Sequence, residues 1–275
     1  MKSLRHDKLG LFGAGLLIAL VLVGGLGPWL PLGDATAIGA GPRLGAPSAA
    51  FWLGTDDLGR DVLPRVVEGI GATFLLSSMA VLISAVLGTL LGMAAGTLGG
   101  LADGLIARAA DVLFAFPALL FGLLVAAVLG PGDIAAIAVI SSATLPLFVR
   151  VIRSVTLAVA GREFVLAARV AGASTWRVLW VHILPNVRGA VVVQLSYALS
   201  VGMLIESGLS FLGLGVQAPQ ASLGSLLRMG SIYLNVAPAL VLAPGLALAL
   251  AITAVNLFGD ALRDALEPLH GRPLL

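Results

Sequence analysis

Residues 70–102 read IGATFLLSSMAVLISAVLGTLLGMAAGTLGGLA, a run without a single charged side chain. A helix needs about 20 apolar residues to cross a hydrocarbon core ~30 Å thick, so this run predicts a membrane-spanning helix. Similar runs recur along the chain, and the short one at 134–149 can extend through Arg150 and Arg153, whose long side chains can reach the headgroups. Together they predict about six transmembrane helices, at 9–29, 70–102, 112–132, 134–149, 189–205 and 231–259.

The composition supports the same fold class. Hydrophobic residues make up 59% of the chain, charged residues make up 11%, and the mean hydropathy is +1.07. A soluble domain carries roughly 25% charged residues and a disordered chain is poor in apolar residues, so both classes are excluded. The chain has no cysteine, which excludes disulfides, thiolate metal sites and a cysteine nucleophile. We therefore predict an all-α polytopic membrane protein.

The distribution of lysine and arginine predicts the orientation of the helices. If the N-terminus is cytoplasmic, the outside segments hold 4 of the 16 basic residues and the inside segments hold the remaining 12. The four outside are Arg43, Arg60, Arg65 and Arg228. Because basic residues concentrate on the cytoplasmic side, both termini are expected to be cytoplasmic. Residues 31–69 and about 209–238 are then expected to lie outside.

The first apolar run has an alternative interpretation as a secretory signal. Lys2, Arg5 and Lys8 precede it, and Ala-Thr-Ala at 35–37 resembles a cleavage site. The run is longer than the roughly 7–15 residues usual for the apolar part of a signal. We expect the first helix to be retained.

The first predicted outer loop changes character along its length. It is rich in Gly, Pro and Ala up to residue 50, and FWLGTDDLGRD at 51–61 then concentrates charge before the second span. Asp56 or Asp57 could cap a short helix over residues 62–67 that lies flat at the membrane interface. We divide the chain into a first helix with its external loop, a transmembrane domain and a C-terminal tail, at 1–70, 71–260 and 261–275.

The predicted inner segment 157–187 carries the most informative pattern. It contains REFVLAARVAGASTWR at 162–177 and HILPN at 182–186. Residues 163–171 favour a helix with an acid at its start, where the helix dipole favours negative charge. Gly172 ends or bends that helix, and Ser174 can cap a second helical piece over residues 174–183.

Two interpretations of this segment are open on its residues alone. The small side chains of Ala167, Ala168 and Ala171 offer a low surface on which a partner protein can dock closely. Alternatively, the helix rests on the headgroups, where Arg162 and Arg169, seven residues apart on one face, meet anionic lipid.

Four motifs resemble the permeases of the dipeptide, oligopeptide and nickel branch of ABC importers. The inner segment is similar to the "EAA" loop of such permeases, with matching positions Glu163, Ala167, Ala168, Gly172, Leu184 and Pro185. The other motifs are GTDDLGRD at 54–61, SFLGLG at 210–215 and NLFGDALRD at 256–264, the last followed by Pro268. The motifs occur in the same order as in that branch. The chain looks like the second permease of the pair. Pro64 departs from the branch, which often has a small polar residue there.

The resemblance implies a type I ABC importer transmembrane domain in the bacterial inner membrane. Such a chain forms half of the pathway for a peptide, or for nickel or a nickel chelate, and is a transport subunit rather than an enzyme. The implied partners are a homologous second permease, one or two cytoplasmic ATPases, an external solute-binding protein and membrane lipid, with no nucleic acid. No G-x-x-x-x-G-K-[ST] motif occurs in the sequence, so ATP and magnesium are expected on the ATPases. The segment around Glu163–Gly172 would be the coupling helix seated on an ATPase.

Several polar and small residues have alternative roles. Glu206, near the outer end of the fifth predicted span, either lines the pathway or sits at the interface and caps a helix or pairs with a loop arginine. Asp103, Arg108 and Asp111 are most simply a solvated turn between spans two and three. Gly88, Gly92 and Gly96 form a stripe on one face of the second span, which predicts close helix packing.

Other function classes lack support in the sequence. An ion-coupled secondary transporter would show several intramembrane acids and two related halves, and we find one ambiguous acid and no repeat. An intramembrane enzyme would need a motif such as H-E-x-x-H, which does not occur. The three histidines, His6, His182 and His270, are too scattered for a predicted metal site.

Overall fold

The computed structural model describes residues 7–266, and Pro268 of the C-terminal motif lies outside this range. Within it the regular secondary structure is helical, apart from one isolated bridge between Thr55 and Asp61, and residues 30–61 form a long loop. A 3₁₀ turn, Gly27–Trp29, follows the first helix, and a π-helical turn, Val178–Ile183, joins the seventh to the eighth. The helices are α1 (Lys8–Leu26), α2 (Val62–Leu98), α3 (Gly100–Ala115), α4 (Ala118–Leu129), α5 (Asp133–Ala160), α6 (Glu163–Val170), α7 (Thr175–Arg177), α8 (Leu184–Phe211), α9 (Leu223–Ile232) and α10 (Ala239–Leu266).

The all-α membrane fold is confirmed. Five helical stretches among residues 7–266 are long and apolar enough to cross a membrane, namely α1, α2, α5, α10 and the continuous stretch Thr175–Phe211. The predicted count of six is reached only if α3 and α4, bent by 90° at their junction, count as one span. The third predicted span, residues 112–132, differs in its bounds, since it covers the end of α3, the bend and all of α4.

Pro117 explains this break. A proline disfavours the helical region for the residue before it, and Phe116 has extended backbone angles of φ −83° and ψ 124°. The solvated turn predicted between spans two and three is not found at Asp103, Arg108 and Asp111, because all three lie within α3. Two of them pair with α5: Arg150 contacts Asp111 at 2.7 Å, and Arg153 forms an ion pair with Asp103.

The predicted interfacial helix near residues 62–67 is not separate from the second span. Asp61, rather than Asp56 or Asp57, caps α2 by accepting a hydrogen bond from the backbone N–H of Leu63 at 3.0 Å. Pro64 stands in the first turn of α2, where a helix has no internal partner for its backbone N–H groups. The helix consequently runs without interruption from the outer loop through the membrane.

The glycine stripe of α2 packs against α5. A side chain at Gly92 would meet the Cβ of Ile152 at 2.9 Å, and one at Gly96 would meet that of Thr156 at 2.7 Å, while Gly88 faces Phe148. Glycine therefore allows the two backbones to approach closely, as the sequence predicts.

Helix α1 packs on the outside of the bundle. Gly13 contacts α10 at Leu257, and Gly24 contacts α2 at Gly71. Apart from glycines, no side chain of α1 is buried, and large apolar residues such as Phe12 and Ile18 are exposed. A surface of this kind suits lipid contact.

Candidate functional site

The side chain of Val165 packs helix α6 against the bundle. Val165 is fully buried in a cluster with Ile152 of α5 and with Val178 and Ile183 of the π-helical turn. The rest of the helix projects from the bundle, and Val170 is 91% exposed. Short connections to α5 and α7 fix the two ends of α6. The arrangement presents a short helix at one end of the bundle.

The end of α6 is a Schellman motif. The backbone N–H of Ala173 donates to the carbonyl of Ala168, and that of Gly172 donates to the carbonyl of Arg169, both at 3.0 Å. Gly172 has φ +84°, in the left-handed region that favours glycine. Ser174 then caps α7 by accepting from the N–H of Arg177 at 3.3 Å. The helix–bend–helix expected from the sequence is present.

The second helical piece, expected over residues 174–183, is longer than predicted. It does not end before the fifth span but continues through the turn Val178–Ile183 into α8. Pro185 explains the wider turn, because its ring clashes with the carbonyl four residues earlier and it has no N–H to donate. The rings of Phe164 and His182 lie 6.2 Å apart and connect α6 to this turn.

The structure brings the predicted coupling residues together at this end of the bundle. Glu163 and Ala167 are exposed on α6, and Gly172 is exposed at its end. Ala168 is half-buried, so Ala167 is the more accessible of the two alanines. Leu184 and Pro185 lie further along the chain at the start of α8, where Leu184 is half-buried and Pro185 is exposed.

Glu206 lies inside the helix bundle of this chain. It is fully buried, and its carboxylate accepts hydrogen bonds from Thr73 of α2 at 2.9 Å and from Ser210 at 2.7 Å. Among the described residues its partners are hydroxyl groups and not a loop arginine, which is one of the alternatives that the sequence left open. Thr73 was not singled out in the sequence, because it is 133 residues away and no local pattern connects the two.

The SFLGLG motif shapes this hydrogen-bond network. Ser210 also accepts from the backbone N–H of Val216 at 3.2 Å, so its hydroxyl joins the carboxylate to the following loop. A side chain at Gly215 would collide with the Ser210 hydroxyl, and Gly213 has φ +81°. The motif therefore turns the chain tightly over Glu206.

The GTDDLGRD motif folds the predicted outer loop around a buried acid. Asp56 is fully buried and accepts from the Arg60 side chain at 2.6 Å, while the Arg65 Nε lies 3.6 Å away. Gly54 and Gly59 have positive φ and approach backbone carbonyls of the loop so closely that a Cβ would clash. The motif thus has a structural role, since it holds the loop against α2 through the contact of Asp56 with Arg65.

Two cavities of about 520 Å³ each lie at the end of the bundle opposite α6. Both are lined by Asp133 and Gln220, and one also by Asp34 and Glu68. Thr36 donates to Asp34 from its hydroxyl and its backbone N–H, which lowers the pKa of the Asp34 carboxyl below its ordinary value. Among residues 7–266 no group of three or more His, Asp or Glu side chains is placed to hold a metal ion.

The bundle, with its projecting helix, has the fold of an ABC importer transmembrane subunit. A chain of the inward-facing MetNI methionine ABC transporter superposes with a TM-score of 0.62, covering 75% of this chain and 98% of that one at 15% identity. Residues 88–270 match the family described as binding-protein-dependent transport system inner membrane component. This chain belongs to that family, and it is a multi-pass inner-membrane permease subunit.

Curated relatives match over nearly the whole chain. The dipeptide transport system permease protein DppC of Alkalihalophilus pseudofirmus is 35% identical over 97% of this chain and 88% of the relative. The di/tripeptide permease DppC of Pseudomonas aeruginosa is 37% identical over 97% of this chain and 90% of its own length. The glutathione transport system permease protein GsiD of Salmonella typhimurium is 37% identical, with shares of 97% and 88%.

Proposed function

We propose that this chain forms half of the translocation pathway of a peptide importer, beside a homologous second permease. The solute assignment is supported by the names of its relatives, which specify dipeptide, di/tripeptide and glutathione transport. The coupled mechanism is supported by helix α6, where Glu163 and Ala167 are exposed while Val165 is buried in the bundle.

In this proposal, one or two ATPase subunits dock on α6 and drive transport. ATP and magnesium bind to those subunits, because the chain has no P-loop sequence of its own. The small side chains of Ala167 and Ala168 suit close docking. The exposed apolar residues Phe164, Leu166 and Val170 favour contact with a protein partner over water. Closure of the ATPases would push α6 and so displace α5 and α8, to which it is joined.

The proposed orientation places α6 and both termini in the cytoplasm. The outer loop and α9 then face outside, where a solute-binding protein delivers the peptide. The distribution of basic residues supports this orientation. The exposed leucines of α2 and α10, such as Leu82 and Leu246, suit contact with membrane lipid.

Transport by the assembled importer tests the proposal. The two permeases, the ATPases and the binding protein are reconstituted in proteoliposomes, and uptake of a labelled dipeptide is measured with ATP or with a non-hydrolysable analogue. We expect uptake only with ATP and binding protein. A complex that takes up nickel but no peptide would contradict the solute assignment. Uptake by this chain alone, driven by an ion gradient, would contradict the ATP-driven mechanism.

A further inference from the structure

The exposed face of α10 changes from apolar to polar along the helix. In the half distant from α6, this face carries Leu242, Leu246 and Leu250. In the half nearer α6, it carries Thr253, Asn256 and Asp260, all exposed. Asn256 lies a full turn before the first charged residue of the helix, and a polar amide that faces hydrocarbon is costly. This half of the face therefore contacts something other than lipid.

A cavity of about 230 Å³ opens beside these residues, between α8 and α10. At Gly259 the helices are close, since a side chain there would meet the Cβ of Ser196 at 2.6 Å. Tyr197, which is 55% exposed, stands at the rim. The polar side chains that line the cavity are Gln194, Ser196, Tyr197, Asn256, Asp260 and Arg263.

Gln194 is the residue of this cavity that points most clearly to a ligand. The residue is only 8% exposed, yet no hydrogen bond of its side chain is found among residues 7–266. The protein does not enclose its amide atoms, which open into the cavity and are free to bond to a ligand there. Asn256 accepts from Ser200 at 2.6 Å, which leaves its own N–H₂ free to donate.

We propose that this cavity is one half of a peptide-binding subsite in the translocation pathway. The carboxamides of Gln194 and Asn256 each offer a donor and an acceptor, which is the complement of a peptide bond. Recognition through the backbone suits a pathway that carries peptides of varied sequence. The exposed carboxylate of Asp260 suits the ammonium group of the peptide. The inference rests on the proposed function.

The size of the cavity agrees with a shared site. Complete small-molecule pockets usually measure about 300–1,000 Å³, and this cavity is smaller and open on the side of Tyr197 and Asn256. A homologous second permease facing this side would supply the remainder. The buried Glu206 does not line this cavity, so the subsite lies apart from the acid that the sequence suggested for the pathway.

Thiol labelling tests where the cavity faces. Because the chain contains no cysteine, a single introduced thiol reports without background. Asn256→Cys and Tyr197→Cys are compared with Leu246→Cys, on the same face of α10, in the complete importer in inside-out vesicles. A small charged thiol reagent cannot enter lipid, so we expect the first two to react at least about tenfold faster than the third. Adding a dipeptide that occupies the cavity should slow the labelling of Asn256→Cys and Tyr197→Cys. Equal rates at all three positions, or no effect of dipeptide, would overturn the proposal.

Uptake kinetics test the contact with peptide. Gln194→Leu removes the carboxamide without breaking a bond in this chain, and Thr253→Val is the control on the neighbouring polar face outside the cavity. At equal abundance, we expect Gln194→Leu to raise the KM for dipeptide roughly 3- to 10-fold, the effect of one lost hydrogen bond, and Thr253→Val to leave it unchanged. Equal KM values overturn the subsite while peptide import by the unaltered importer stands. An unaltered importer that takes up no peptide overturns the proposed function as well.

Discussion

The hydroxyl of Thr73 on α2 donates to the carboxylate of Glu206 on α8 across 2.9 Å, and it also accepts from the backbone N–H of Leu223 on α9 at 3.2 Å. One threonine thus links α2 both to the buried acid of α8 and to the start of α9. Because the carboxylate is hydrogen-bonded within the chain itself, we predict a structural role for Glu206.

Replacement of Glu206 by leucine should therefore destabilise the protein. The hydroxyls of Thr73 and Ser210 would lose their acceptor, at about 1–3 kcal/mol for each buried group left unpaired. We expect lower abundance in the membrane and a lower Tm in detergent, measured by fluorescence-monitored unfolding, whereas the exposed Glu163→Gln should leave the Tm unchanged. A Glu206→Leu protein with the normal Tm but without transport would instead support the pathway role suggested by the sequence.

Alanine should have opposite effects at two helical glycines. At Gly92 the new methyl group would lie 2.9 Å from the Cβ of Ile152, and overpacking of this kind costs about 1–3 kcal/mol. At Gly15 in α1 nothing lies within 4 Å, and alanine stabilises a helix by roughly 0.5–1 kcal/mol over glycine. Unfolding in detergent should show a lower Tm for Gly92→Ala and an equal or higher Tm for Gly15→Ala. The same response at both sites would contradict the close packing of α2 on α5.

A bulky residue at Ala167 should uncouple transport. The position is exposed on α6, so Ala167→Trp should preserve the fold and the abundance of the chain while it blocks close approach of the ATPases. We expect several-fold less ATPase to co-purify and peptide uptake to fall in parallel. Gly172 is a poorer test position, because at φ +84° any other residue strains the turn.

The lipid-resting alternative for α6 predicts a different pattern. Uptake would then tolerate Ala167→Trp but fall when Arg162 and Arg169 are both replaced by alanine, with a dependence on anionic lipid. Measuring both variants in vesicles with and without anionic lipid separates the two interpretations.

Two matched alanine-to-cysteine variants test the orientation. Ala49 in the outer loop and Ala171 after α6 are both exposed, and the chain has no other thiol. In intact spheroplasts, an impermeant thiol reagent should label Ala49→Cys but not Ala171→Cys, because of the basic-residue distribution. In inside-out vesicles the pattern should reverse. Labelling of Ala171→Cys in spheroplasts would place α6 outside.

Loss of Asp56 should release the outer loop. Removing one partner of a buried ion pair costs about 3–5 kcal/mol, and here it would leave Arg60 and Arg65 buried without their acid. We expect Asp56→Ala to make the loop sensitive to limited proteolysis, whereas Asp34→Ala, at an exposed position, should not. Equal protease resistance would show that the arginines do not depend on Asp56.

Long apolar runs made most of the fold predictable, because membrane thickness sets a minimum helix length. The break between α3 and α4 could also have been found, since Pro117 interrupts an otherwise uniform apolar run. The true cap of α2 could not be chosen among Asp56, Asp57 and Asp61 by local pattern. That choice depends on Arg60 and Arg65, which draw Asp56 into the interior.

The helix ends of the predicted coupling segment could be predicted for a different reason. Its helix ends are set by local chemistry, a glycine with positive φ at 172 and a capping serine at 174, so the pattern and the structure coincide. The surroundings of Glu206 and Gln194 are set by residues distant in sequence. No property of either residue alone says whether its partners are hydroxyls, as for Glu206, or lie outside the chain.

The close backbone contact between α2 and α5 limits which substitutions this helix pair can tolerate. Where two backbones touch at Gly88, Gly92 and Gly96, there is no side-chain volume to exchange, so compensating substitutions of the kind that leucine-rich cores accept are not available. On the opposite side of α2, Leu82, Val86 and other exposed apolar residues can be exchanged for one another freely. In a mutational library, tolerance should therefore alternate with the helical period along α2, with its least tolerant side made of the smallest residues.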